Sequence, residues 1–247
     1  MKEALRVTFR DHLDAKRVVE DYEFSMKVTD RSCAQILLLE DTVLMLAYGH
    51  VDGAVVECGV FTGGASGYML RSILRNFPSD KLPDYWGFDS FEGMPHATAE
   101  DGEEAVKWLV GVDKNNRPVA PIDGKLEGTT GINRAELLHV SAYLKQSGYP
   151  QDKLHLVKGW FQDTVAKNAR AIGPIALLRL DGDFYESTKT CLDALAKQVV
   201  PKGVIIFDDY GAFAGCRKAV DEYLAANDGF SPVFRYDAHG AFVMRMN

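Results

Sequence analysis

Two short apolar runs end in acid. Leu177-Leu178-Arg179-Leu180 leads into Asp181-Gly182-Asp183, and Val204-Ile205-Ile206-Phe207 leads into Asp208-Asp209. Carboxylates brought together repel one another, and a cation relieves that repulsion. Oxygen-only ligands suit magnesium, calcium or manganese better than zinc. Asp181, Asp208 and Asp209 are therefore a candidate metal site. A competing reading makes the same acids mere helix caps and strand ends.

The elements that must position these acids follow from the pattern. Aliphatic runs without alternation predict parallel strands buried on both faces. Ligands of open α/β sheets sit beyond the carboxyl ends of such strands. The interval between Asp181 and Asp208 holds one crossover helix and a return strand, so neighbouring strands would make the acids converge. Pro201-Lys202-Gly203 reads as the turn into the second of these strands, and Ser187 as the cap of the helix between them.

Gly53 to Gly59 reads as the first strand and its exit, continuing through Val60-Phe61-Thr62-Gly63-Gly64 into a helix that ends near Phe77. The glycines allow a tight turn and close backbone approach to a ligand. The spacing Glu57-x-Gly59-x-x-x-Gly63 differs from the dinucleotide fingerprint, and an acid there is awkward beside a pyrophosphate. It suits a ligand carrying an ammonium group and a sugar. The strand from Asp84 to Phe88 ends at Asp89, placed to accept hydrogen bonds from ribose hydroxyls. Ser90-Phe91-Glu92-Gly93-Met94-Pro95 follows, where Phe91 covers an adenine or fills the loop base. Trp160 and Phe161, after the strand Leu154-His155-Leu156-Val157, wall an adenine or pack in the core.

Other features frame this centre. Ser32-x-x-Gln35 fits a capping box opening an apolar helix that Gly49 ends. Residues 1–50 read as an N-terminal helical extension and 51–247 as the main domain. Residues 96–132 form a glycine- and proline-containing insertion, longer than an ordinary connection, read as a cap over the sheet edge. A short helix is expected from Glu103 to Val110. Asn133 and Glu136 fit a second capping box. His96 is the candidate general base among six histidines. Val233-Phe234-Arg235-Tyr236 and Ala241 to Arg245 flank a turn and read as a closing hairpin.

The chain has 247 residues, a net charge of -7 and 47% hydrophobic residues. That is enough for one α/β domain, and it offers no basic footprint for nucleic acid or anionic membranes. Cys33, Cys58, Cys191 and Cys216 make no C-x-x-C pair and read as small apolar residues in a reducing compartment. With neither a signal-like run nor a membrane span, a cytoplasmic protein is expected.

Taken in order, Val56-Glu57-Cys58-Gly59-Val60-Phe61-Thr62-Gly63-Gly64, Phe88-Asp89-Ser90-Phe91-Glu92-Gly93-Met94-Pro95, Gly159-Trp160-Phe161-Gln162-Asp163-Thr164, Leu180-Asp181-Gly182-Asp183-Phe184-Tyr185-Glu186-Ser187-Thr188 and Phe207-Asp208-Asp209-Tyr210 resemble the macrocin O-methyltransferase family over about residues 33–245. The resemblance implies a class I S-adenosylmethionine-dependent methyltransferase fold: an α/β, Rossmann-like, seven-stranded, mostly parallel sheet with a C-terminal antiparallel hairpin. It implies O-methylation of a hydroxyl on a small molecule, a sugar or glycosylated natural product, with S-adenosylmethionine and magnesium (Mg2+) as cofactors. Glu57, Gly59, Gly63, Asp89, Ser90, Phe91, Trp160 and Asp181 would form the cofactor site. Asp181, Asp208 and Asp209 would hold magnesium, and a homo-oligomer is expected. Asp181 and His96 are the catalytic candidates.

One departure is visible. Sugar-methylating members use a histidine in the segment after Ser90-Phe91-Glu92-Gly93, and residues 97–132 contain none. His96, Asp181 or Lys107 would have to do its work. The rival readings are a nucleotide-dependent oxidoreductase and a non-catalytic S-adenosylmethionine-binding protein.

Overall fold

The computed structural model describes residues 15–28, 32–102, 105 and 129–247. The described residues open with two helices, α1 (Ala15–Ser25) and α2 (Cys33–Tyr48). Then come β1 (Ala54–Cys58), α3 (Gly64–Asn76), β2 (Tyr85–Asp89), α4 (Leu137–Lys145) and β3 (Leu154–Lys158). The second half contributes α5 (Phe161–Ile172), β4 (Ile175–Leu180), α6 (Tyr185–Leu195), β5 (Val199–Phe207), α7 (Ala214–Ala226), β6 (Phe234–Arg235) and β7 (Ala241–Met244).

The sheet has seven strands in the order β3-β2-β1-β4-β5-β7-β6. The first five are parallel, and β7 runs antiparallel to both β5 and β6. This is the expected mostly parallel sheet with its C-terminal hairpin. Strand alternation sends side chains to two helical layers. Val55, Leu177, Val204 and Ile206 pack with α1, α2, α3 and α4. Val56, Leu178, Leu180, Ile205 and Phe207 pack with α5, α6 and α7. β1 and β4 are adjacent and their connections leave in opposite directions. The crevice beyond their carboxyl ends is the position where such sheets bind ligands.

The Ser32–Gln35 capping box is present at α2, with both reciprocal bonds made. Three sequence expectations fail locally. Asn133 does not cap a helix: it sits at φ 56, and α4 begins at Leu137 after Glu136, which makes no side-chain cap bond. Asparagine tolerates the left-handed region, so it served the turn instead. Ser187 does not cap α6 either, because the helix already starts at Tyr185. Pro201-Lys202-Gly203 is no turn between elements. It lies inside β5 at an irregularity where Ile175 faces Val199 and Leu177 faces Val204. Such a bulge absorbs residues that cannot join the ladder.

The expected helix from Glu103 to Val110 lies outside the described residues, apart from Ala105, and so do Lys107 and most of the insertion. The two ends of the insertion are tied together: Met94 N donates to Ile132 O and Thr130 N donates to Met94 O, both at 2.8 Å.

Candidate active site

Backbone pairing continues past the strand ends and sets the acids side by side. Asp181 N donates to Cys58 O at 2.8 Å, and Asp208 N donates to Leu180 O at 2.9 Å. One carboxylate oxygen from each of Asp181, Asp208 and Asp209 lies within 4.8 Å of the others. Asp209 is further held by the amide of Asp183, which donates to its Oδ2 at 3.2 Å. Burial, then the neighbouring charges of Asp183, Asp181 and Asp208, pushes the Asp209 carboxyl well above the usual carboxylate range. An all-oxygen cluster under this mutual repulsion, with Asp208 and Asp209 buried and Asp181 half-buried, has the donor chemistry for a hard divalent cation.

Beneath the acids lies Arg179, only 2% exposed. The sheet register places it opposite Glu57, which is 0% exposed. Arg179 Nη1 donates to Glu57 Oε1 at 2.7 Å, and Nη2 reaches Asp181 Oδ2 and Asp208 Oδ1, both at 2.9 Å. Burial works against the guanidinium charge, but Asp181, Asp208 and Glu57 outweigh it and hold the proton firmly. Glu57 also accepts from Ser66 Oγ at 2.5 Å and from Tyr85 Oη. Burial raises its carboxyl, and Arg179 draws it back.

A cavity of about 650 Å3 opens over this floor. Gly59, Phe61, Asp89, Ser90, His96, Trp160, Asp181, Asp208 and Asp209 all line it. Of the sequence-predicted cofactor residues, Glu57, Gly63 and Phe91 are not among its lining residues. Glu57 is spent on Arg179 below the floor, Gly63 forms the left-handed N-cap of α3, and Phe91 is buried in the core. Gly59 has φ +99, and a Cβ there would lie 1.9 Å from Asp181 O. The turn therefore passes as close to the end of β4 as a backbone can.

Asp89 organises this turn. Its Oδ2 accepts from Val60 N at 2.9 Å and Phe61 N at 2.8 Å, and its Oδ1 accepts from Phe91 N at 2.6 Å. Burial raises the Asp89 carboxyl despite these bonds. The Thr62 hydroxyl, in the same turn, is buried without a partner. The cavity itself, with Phe61 and Trp160 on its wall and Asp89 and Ser90 beside them, fits a polar ligand carrying an aromatic base. His96 lies exposed on the cavity wall.

Asp101 was missed at the sequence level. It is 2% exposed and reaches across the cavity margin, accepting from Tyr185 N at 2.7 Å. It thereby supplies α6 with the cap that Phe184 cannot. Arg179 was missed too, although a charge inside an aliphatic strand was a visible sign of buried partners.

Fold and site together define the class I S-adenosylmethionine-dependent methyltransferase architecture: this strand order, a glycine turn after β1 and an acid at the end of β2. A family model described as Macrocin-O-methyltransferase (TylF) matches residues 28–245, and the chain belongs to that family. It is 35% identical over 192 residues to the 8-demethyl-8-(2,3-dimethoxy-alpha-L-rhamnosyl)-tetracenomycin-C 4'-O-methyltransferase of Streptomyces olivaceus, covering 78% of this chain and 66% of that one. The match thus spans just under two thirds of that relative. Demethyldecarbamoylnovobiocin O-methyltransferase of Streptomyces niveus is 32% identical over 197 residues, covering 79% of this chain and 67% of that one. The solved structure of the O-methyltransferase NovP has a TM-score of 0.69 at 28% identity, over 87% of this chain and 80% of that chain. Among the described residues no helix is long and apolar enough to cross a membrane.

Proposed function

We propose that this chain is an S-adenosylmethionine-dependent, magnesium-dependent O-methyltransferase acting on a hydroxyl of a sugar or glycosylated natural product. The observation that carries the reading is the set of three converging carboxylates beside the Gly59 turn, inside one cavity. The names of the two Streptomyces relatives place their methyl groups on a rhamnosyl tetracenomycin and on demethyldecarbamoylnovobiocin. They direct the acceptor choice here toward hydroxylated natural products. A homo-oligomer in the cytoplasm belongs to the same reading. The free state of all four cysteines, three of them buried, is in keeping with a reducing compartment.

When bound, S-adenosylmethionine supplies an electrophilic methyl group and magnesium supplies Lewis acidity toward acceptor oxygens. Asp181, Asp208 and Asp209 would hold the ion. Asp89 and Trp160 would bind ribose and adenine, with Gly59 giving the methionine portion close backbone approach. The acceptor hydroxyl must lose a proton as its oxygen attacks. The Asp181 carboxylate or the His96 imidazole takes that proton, both lying on the cavity wall. The walls align the acceptor with the methyl and exclude water.

The test is calorimetric binding of S-adenosylmethionine, with NADH as control, followed by an acceptor screen for the mass gain of one methyl. Asp208→Asn is expected to cut turnover at least a hundredfold while leaving cofactor affinity within a few fold, on the scale of losing one electrostatic stabiliser (about 10²–10³). Full turnover of that variant in chelator would refute metal dependence. Cofactor binding without transfer to any acceptor would favour a non-catalytic binding protein.

A further inference from the structure

We propose that Gln35, in the N-terminal extension, is a positioning residue that orients Asp208 and couples the docking of α2 to occupancy of the cation site. The proposal rests on the reading of Asp208 as a cation ligand. Its basis is a bond far from the sequence of the site: Gln35 Nε2 donates to Asp208 Oδ2 at 3.2 Å. The orientation of this amide is dictated by the helix cap. Gln35 Oε1 accepts from Ser32 N at 2.8 Å, and a backbone amide can only donate, so the NH2 end must face Asp208.

The other Asp208 oxygen is held from the same side. Oδ1 accepts from Arg179 Nη2 at 2.9 Å and from Tyr236 Oη at 3.1 Å. The Tyr236 hydroxyl is the donor in that bond, since a carboxylate oxygen accepts. Ser32 Oγ donates to Asp237 Oδ2 at 3.3 Å, joining the start of α2 to the hairpin turn that carries Tyr236. Gln35, Arg179, Asp208 and Tyr236 are among the residues lining a void of about 10 Å3. That is room for about one water, too little for a solvent network behind the carboxylate. Donors behind a carboxylate ligand fix its rotation, and their loss typically costs 10–100-fold in metal affinity. By linkage, anything that favours the oriented carboxylate also favours the docked helix.

The experiment titrates Mn2+ into the full-length protein by calorimetry, comparing wild type, Gln35→Met and Ser32→Ala. Gln35→Met should bind Mn2+ about tenfold more weakly. Ser32→Ala removes the serine half of the same cap and the bond to Asp237 but touches neither Asp208 oxygen, so it should weaken Mn2+ binding clearly less than Gln35→Met does. Unchanged affinity in Gln35→Met overturns the proposal. Equal weakening in both variants also overturns it, since the effect would then come from the helix end alone. Wild type that binds no Mn2+ defeats the cation reading itself and the proposal with it. Hydrogen exchange on wild type covers a variant that fails to fold. Mn2+ should slow exchange in Ile36 to Leu39, and unchanged exchange rejects the coupling.

Discussion

Arg179→Met is the sharpest test of how the site is held together. The guanidinium is 2% exposed and touches three carboxylates at 2.7, 2.9 and 2.9 Å. Methionine fills much of the same volume, so the loss is electrostatic rather than a cavity. Removing one partner of a buried ion pair costs about 3–5 kcal/mol, because the other charge is left uncompensated. Glu57 has no route to solvent, so it keeps only Ser66 and Tyr85 as donors. In a chain of this length each kcal/mol moves Tm by about 2–4 °C, so the expected fall is roughly 6–20 °C.

The assay is urea unfolding in chelator, with a thermal scan beside it. A surface ion pair would lose its effect in about 1 M salt, whereas this buried one should cost nearly the same there. Glu57→Gln supplies the second arm. It keeps the side chain's shape and leaves Arg179 two other carboxylates, so its cost should be smaller than that of Arg179→Met. A penalty below about 1 kcal/mol for Arg179→Met, or one abolished by salt, would refute the reasoning.

Other outcomes follow from the same geometry. Gly59→Ala places a Cβ 1.9 Å from Asp181 O at φ +99, so urea unfolding should show a loss above about 2 kcal/mol and calorimetry a loss of cofactor binding; wild-type stability would contradict the close approach. Asp101→Ala removes the acceptor of Tyr185 N and of Thr98 N and Oγ1, and should cost about 2 kcal/mol and raise the acceptor KM more than it lowers kcat. His96→Gln should lower kcat if the imidazole takes the acceptor proton. Unchanged turnover removes His96 from that role.

The parts of this molecule legible in sequence are those fixed by local rules. Five short apolar runs, β2 aromatic rather than aliphatic, mark the parallel strands, and the acids after β4 and β5 stand where sheet pairing brings them together. Ser32 and Gln35 announced their helix because both halves of a capping box lie within one turn. The same pattern at Asn133 misled, since asparagine is equally at home at positive φ, where it stands. Asp101 caps α6 from outside the helix, and no local spacing announces a cap that arrives from a distant segment. Gln35 looked fully employed by its cap. Its free NH2 end acquires meaning only when the C-terminal half brings Asp208 to it.

Glu57 and Arg179 also decide how β1 lies against β4. They are register partners, and both face the layer of α2 and α3. A slip of one residue would turn Arg179 to the opposite face, among Leu178, Leu180 and Ile205, with no acid to meet it. The ion pair therefore penalises every neighbouring register far more than an all-aliphatic pairing would. Register is what functional geometry needs here. It sets Cys58 O against Asp181 N, brings Gly59 onto the Asp181 carbonyl, and so joins the turn after β1 to the acids after β4 and β5. A charge buried at the centre of the sheet thus aligns the two sides of the cavity, one carrying the glycine turn and the other the acid cluster.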